Sequence, residues 1–120
     1  MMWLISFTWI TPDWLNDYIK SGKGKAIIID VRTPAEHEMG FIPGTKMLIP
    51  HNQIAARINE IKADPNKDTI IVYCRSGNRS TIAAKILESK GFKHVLNLKG
   101  GITAWQQSGY KVVKPKGGER

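Results

Sequence analysis

Three short apolar runs rich in β-branched residues alternate with segments of helical spacing: Ala26-Ile27-Ile28-Ile29-Asp30-Val31, Thr69-Ile70-Ile71-Val72-Tyr73 and His94-Val95-Leu96-Asn97-Leu98. Continuous hydrophobicity of this kind suits strands buried on both faces, as in a parallel sheet covered by helices. A further short strand is expected over Lys46-Met47-Leu48-Ile49-Pro50. Between the strands lie helix signals. Thr11-Pro12-Asp13 opens one helix, with Trp14, Leu15, Tyr18 and Ile19 at helical spacing and a stop at Ser21-Gly22. Thr33-Pro34-Ala35-Glu36 is a capping-box signature for a short helix ending at Gly40. Ile54, Ile58 and Ile61 predict one face of a helix from near Asn52, residues 80–90 another closed by Gly91, and Ile102–Gln107 a last short one stopped by Gly109. Strands alternating with helices indicate an α/β domain with a mostly parallel central sheet. A length of 120 residues matches a single domain.

The only cysteine, Cys74, stands at the junction of the strand 69–73 and the helix 80–90 and opens the run Cys74-Arg75-Ser76-Gly77-Asn78-Arg79-Ser80. Backbone N–H groups and the helix dipole stabilise an anion at such a junction. Residues 75–80 must curl round the sulfur, and successive inward N–H groups make an anion-binding nest. Gly77 supplies backbone angles closed to other residues. Arg79 contributes fixed positive charge as the helix begins, and Arg75 points toward the mouth, where it meets an incoming anion. Ser80 begins the helix or hydrogen-bonds within the loop. A buried structural thiol is the plain alternative, but it needs no arginines beside it. The expected outcome is a lowered thiol pKa and a pocket for a thiolate, a persulfide or a cysteinyl-phosphate.

Charge and cysteine count narrow the partners. The chain has 18 Lys+Arg against 10 Asp+Glu, a net charge of +8, but its lysines are scattered and form no basic stripe with interleaved aromatics. Small anions are therefore the expected partners, with no nucleic acid. A single cysteine excludes an intramolecular disulfide and any cysteine-rich metal site. His37, His51 and His94 have no metal-ligand spacing, and no metal or other cofactor is expected. No second thiol can resolve a modified Cys74, so turnover must use an external acceptor or another protein. No apolar run approaches the roughly 20 residues that span a bilayer, so no membrane partner is expected. The apolar opening Met1–Phe7 is read as a packed N-terminal segment. The expected compartment is the cytoplasm, or the periplasm if a leader was removed.

Spacing bears on the chemistry. Cys74 to Arg79 is C-x4-R, whereas cysteine phosphatases use C-x5-R to wrap a tetrahedral phosphate; the shorter loop better matches the outer sulfur of a persulfide. Beside this loop stand Asp30-Val31-Arg32, Glu36 leading to Gly40-Phe41-Ile42-Pro43-Gly44, Ile49-Pro50, and Gly100-Gly101-Ile102-Thr103-Ala104-Trp105. With these ordered motifs, from about Thr11 to Tyr110, the chain resembles a single-domain rhodanese of the thiosulfate sulfurtransferase family. Phe41 departs from the family, which more often has histidine there, and is expected to change packing rather than chemistry.

The resemblance implies a rhodanese-like three-layer α/β domain over 11–113, preceded by an N-terminal segment 1–10 and followed by a tail 114–120 expected to be disordered. It also implies a two-step transfer. Cys74 takes a sulfane sulfur from thiosulfate or a similar anionic donor as a persulfide, then passes it to cyanide or a thiol acceptor, which an acceptor protein can supply. Asp30 and Arg32 leave the strand end where open α/β sheets bind ligands. Their residue types favour a structural ion pair over an active-site rim, and the resemblance places them in the supporting shell. Trp105 is assigned to the core, with Gly100 and Gly101 serving chain geometry. Trp3, Trp9 and Trp14 are expected to cover one face of the sheet. The rival functions are a phosphatase or arsenate reductase on the same fold, and a docking or sulfur-carrier module.

Overall fold

The computed structural model describes residues 7–115; the expectations for Met1–Ser6, Trp3 among them, and for 116–120 lie outside the described residues. Five parallel strands form one sheet in the order β1-β5-β4-β2-β3. They are β1 (Thr8–Ile10), β2 (Ile27–Asp30), β3 (Thr45–Leu48), β4 (Thr69–Tyr73) and β5 (His94–Leu98). The helices are α1 (Pro12–Ser21), α2 (Pro34–Glu38), α3 (Asn78–Ser89) and α4 (Gly101–Gln107). The expected α/β architecture holds, with helices on both faces of the sheet. The edge strand β1 is an addition, drawn from a segment too short to show a period.

Period-two alternation divides β4 between two cores. Ile70, Val72 and Cys74 face a cluster with Ala83, Ala84 and Leu87 of α3 and with Ile54 and Ile61. Ile71 and Tyr73 face the opposite cluster, with Leu15 of α1 and Ile102 and Trp105 of α4. Trp105 is buried, as expected, and its indole N–H donates to the Lys111 carbonyl (2.9 Å). Helix starts follow their capping chemistry. Thr11 Oγ1 accepts from Trp14 N (3.1 Å), and Thr33 and Glu36 close both halves of the capping box.

Three expectations are corrected. The helix predicted from near Asn52 is instead two short 3-10 turns, His51–Gln53 and Ile58–Glu60. Neither turn has a side-chain cap at its start. Their bonds tighten to three-residue spacing, as in Gln53 N to Pro50 O (2.8 Å) and Glu60 N to Arg57 O (2.9 Å). This winding still returns Ile54 and Ile61 to the core.

The helix expected from Ser80 begins two residues earlier, at Asn78, so Arg79 lies in its first turn. Trp9 and Trp14 do not cover a sheet face. Trp9 is 46% exposed on the edge strand, edge-on to Phe7, and Trp14 is 43% exposed and stacked on Tyr18, while Leu15 is the buried residue of α1.

Candidate active site

β4 delivers Cys74 to the C-terminal edge of the sheet, and α3 starts four residues later. The intervening turn depends on Gly77, which precedes α3 at φ +113°, a region that L side chains rarely adopt. With the chain turned there, donors converge on Cys74 Sγ. The Gly77 N–H lies at 3.1 Å and the Ser80 N–H at 3.3 Å. The thiol donates to Ser80 Oγ (3.5 Å), and that hydroxyl donates to the Gly77 carbonyl (3.2 Å). Once the thiol ionises, the Ser80 hydroxyl can turn and donate to sulfur instead. Ser80 therefore fills both roles considered for it: it lies in the first turn of α3 and bonds within the loop.

Cys74 is 1% exposed, which matches the plain alternative of a buried thiol in burial but not in electrostatics. Burial pushes the thiol up. The Ser80 hydroxyl, followed by the N–H groups of Ser80, Gly77 and Ser76, outweighs it and brings the thiol below its ordinary value. A structural cysteine among apolar groups shifts the other way.

The loop is held from outside by α4. Ile102 N donates to the Cys74 carbonyl (2.9 Å) and Thr103 N to the Arg75 carbonyl (3.1 Å). With these carbonyls turned outward, the loop's N–H groups are left to face the sulfur. Gly101 permits the approach, since a Cβ there would fall against the carbonyl oxygens of Cys74 and Arg75. Residue types assigned the two glycines to chain geometry; the anchoring of the loop by α4 had no signal in the sequence beyond that pair. On the same outer side, Trp9, Ser76, Gly77, Asn78, Thr81, Lys99 and Gly100 line a cleft of about 410 Å³.

Of the loop residues, Arg75, expected at the mouth, is exposed, as are Ser76 and Asn78, while Gly77 and Ser80 are buried. Arg79, expected to contribute fixed positive charge as the helix begins, stands in the first turn of α3. Its guanidinium forks onto Glu36, with Nη1 to Oε1 at 2.7 Å and Nη2 to Oε2 at 2.9 Å. Arg79 holds the Glu36 carboxyl down from the usual 4.5 to about 2. Glu36 was legible as a helix-capping residue; its second role depends on a partner 43 residues away.

Asp30 and Arg32 form the ion pair their residue types favoured. Arg32 Nε donates to Oδ1 (2.9 Å) and Nη2 to Oδ2 (2.7 Å), with Asp30 wholly buried and Arg32 nearly so. Arg32 Nη2 also donates to the Gly40 carbonyl (2.6 Å), and His37 Nδ1 meets Asp30 Oδ2 at 2.9 Å. The His37 ring stacks on Phe41 at 4.3 Å. Asp30 thus ties α2 to the end of β2 and makes no contact with the sulfur. His51 starts a 3-10 turn, and its N–H donates to the Val31 carbonyl (2.9 Å). Among the described residues no group of three His, Cys, Asp or Glu side chains could hold a metal ion, and no helix is long and apolar enough to cross a membrane.

The chain matches the family described as "Rhodanese-like domain" over residues 11–108. A sulfurtransferase of Allochromatium vinosum is 43% identical over 91 residues, covering 76% of this chain and 81% of that protein. The Mycobacterium tuberculosis protein described as "Probable adenylyltransferase/sulfurtransferase MoeZ" is 38% identical over 96 residues, 80% of this chain. The chain spans only 24% of that relative. A solved rhodanese-like domain protein from Staphylococcus aureus superposes with a TM-score of 0.77 at 31% identity, covering 92% of this chain and 100% of the other. Its sequence match over nearly the whole domain, together with that superposition, shows that this chain belongs to the rhodanese-like domain family.

Proposed function

We propose that this protein is a sulfurtransferase of the thiosulfate type, working through a persulfide on Cys74. The observation that carries the reading is the convergence of the Gly77 and Ser80 N–H groups on Sγ at 3.1 and 3.3 Å. Donors fixed in place before reaction favour the thiolate that attacks, and they offer the same stabilisation to a sulfur anion carried at that position. The family membership and the sulfurtransferase relative from Allochromatium vinosum support transfer of sulfur as the reaction class.

In the first step the Cys74 thiolate attacks the sulfane sulfur of thiosulfate. A Cys74 S–S bond forms, the donor's S–S bond breaks, and its electron pair leaves with sulfite. The products are the persulfide anion and sulfite, with charge conserved. In the second step cyanide or a thiolate attacks the outer sulfur, and the electron pair of the Cys74 S–S bond returns to Cys74 as thiolate. Cyanide leaves as thiocyanate. Arg75, exposed at the loop rim, guides the anionic donor. Asp30 and Arg32 act from behind by fixing α2.

Intact mass after thiosulfate treatment tests the reading, with Cys74→Ser as control. The expected result is a gain of one sulfur atom, removed by cyanide and absent from the variant. A protein that gains no sulfur but hydrolyses phosphate esters would replace this reading with the phosphatase one. Arg75→Ala is expected to raise KM for thiosulfate with little change in melting temperature. Equal loss with a neutral persulfide donor would remove Arg75 as an anion guide.

A further inference from the structure

The carboxylate that pairs with Arg79 belongs neither to the loop nor to α3. Glu36 reaches it from α2, and its Oε1 already accepts from Thr33 N (3.1 Å) and Thr33 Oγ1 (3.1 Å). The same short helix is secured at its other end, where His37 meets Asp30 and Arg32 bonds the Gly40 carbonyl. Glu36 therefore projects from an element fixed at both ends. Both terminal nitrogens of Arg79 donate to it. Meanwhile Arg79 immediately precedes Ser80, whose N–H lies 3.3 Å from the sulfur. A guanidinium so near an anionic sulfur would ordinarily turn toward it.

We propose that Glu36 is a positioning residue that holds the Arg79 guanidinium away from Cys74, so that the loop grips a sulfur anion with N–H dipoles rather than with a full charge. The inference rests on the sulfur-transfer reading for its purpose but not for its test. A persulfide must form and also be given up. Stabilising the loaded state more than the transition state for its discharge slows turnover. With the guanidinium clamped, the sulfur meets donors strong enough to favour an anion, yet the outer sulfur stays free to leave. The negative charge of Glu36 is balanced by Arg79 itself. Besides Arg79 and Glu36, the charged groups around the loop are Asp30, committed to Arg32 and His37, the exposed Arg75, and Lys99, which lines the cleft with Ser76, Gly77 and Asn78.

Ultraviolet absorbance of the Cys74 thiolate against pH gives the test without any transfer reaction, since Cys74 is the only cysteine and Cys74→Ser supplies the blank. Glu36→Gln keeps the shape and a capping side chain while removing the charge. Its expected profile moves to lower pH by about 1 unit, as for an opposite charge released beside an ionisable group. That shift should vanish in the Glu36→Gln/Arg79→Gln pair. Arg79→Gln alone should move the profile less than Glu36→Gln does, because the native guanidinium is already engaged. Sulfur-loaded Glu36→Gln should also pass sulfur to cyanide more slowly than the parent.

A Glu36→Gln profile that coincides with the parent's, or moves to higher pH, overturns the proposal and leaves the pair a structural clasp. If Glu36→Gln does not fold, Arg79→Gln decides: a rise of about 1 unit or more would mean that Arg79 already faces the sulfur. Failure of sulfur loading in the parent would sink the transfer reading and leave these titrations unaffected.

Discussion

Two buried polar centres sit at the C-terminal ends of adjacent parallel strands, and they are satisfied in opposite ways. At the end of β2, Asp30 is neutralised charge on charge by both sides of the Arg32 fork, and His37 Nδ1 meets its Oδ2. At the end of β4, Cys74 Sγ rests on N–H dipoles and one hydroxyl, with no ion pair. The first arrangement is closed: each donor already has its partner, and little is left for a ligand. The second is open in the chemical sense, because dipoles that favour an anion do not consume it. Strand ends of the same sheet thus provide a brace at one position and a thiol in an anion-favouring setting at its neighbour. Whether charges or peptide groups meet the polar atom decides which.

The sharpest contrast is between removing each centre. Cys74→Ser should eliminate sulfur loading while cooperative unfolding persists; loading that survives in this variant would end the comparison. Asp30→Ala leaves the Arg32 guanidinium buried without its carboxylate, and breaking a buried pair in this way costs about 3–5 kcal/mol. A urea midpoint close to the parent's would mean that the brace is not one.

The outer support of the loop should matter next. Gly101→Ala drives a Cβ against the Cys74 and Arg75 carbonyls and should displace the loop, with a fall in sulfur-loading rate larger than Gly77→Ala produces. At Gly77 the nearest atoms to a new Cβ, from the Trp9 ring, lie at 3.7 Å, so only the backbone strain of φ +113° remains. That strain is worth about 1–2 kcal/mol, readable from the shift in melting temperature. Equal loading rates in the two variants would argue against loop anchoring by α4.

The smallest effect concerns the link between the centres. The folded value of Glu36 lies near 2, below its usual 4.5, so its pairing stabilises the fold fully above about pH 4.5 and progressively less as the pH falls toward 2. Glu36→Gln should lack that portion of the acid-induced loss. Parallel acid-unfolding curves for parent and variant would show that the pair contributes nothing measurable.

Much of this was legible residue by residue. The β-branched runs, the Thr11 and Thr33 caps and the glycine stops located four of the five strands and the four α-helices within a residue or two, because each signal acts locally. The cysteine between a strand and a helix marked the candidate site for the same reason. Elements whose form depends on distant packing were not legible. The isoleucines 54, 58 and 61 have helical spacing, but uncapped ends and the need to bury Ile54 and Ile61 against α3 wound the segment into 3-10 turns. β1 takes its conformation from pairing with β5, and Trp9 remains at an exposed edge.

By itself the sequence determined the fold class, the lone cysteine and the donors near it in the chain, since periodicity, capping and loop length are local properties. Only the tertiary structure decided where the charges went. It turned Arg79 onto Glu36 across 43 residues, locked Asp30 between Arg32 and His37, and set α4 against the outside of the loop. An ion pair or a loop anchor is chosen by what the folded chain brings within 3 Å or so, and separation along the sequence carries little information about that.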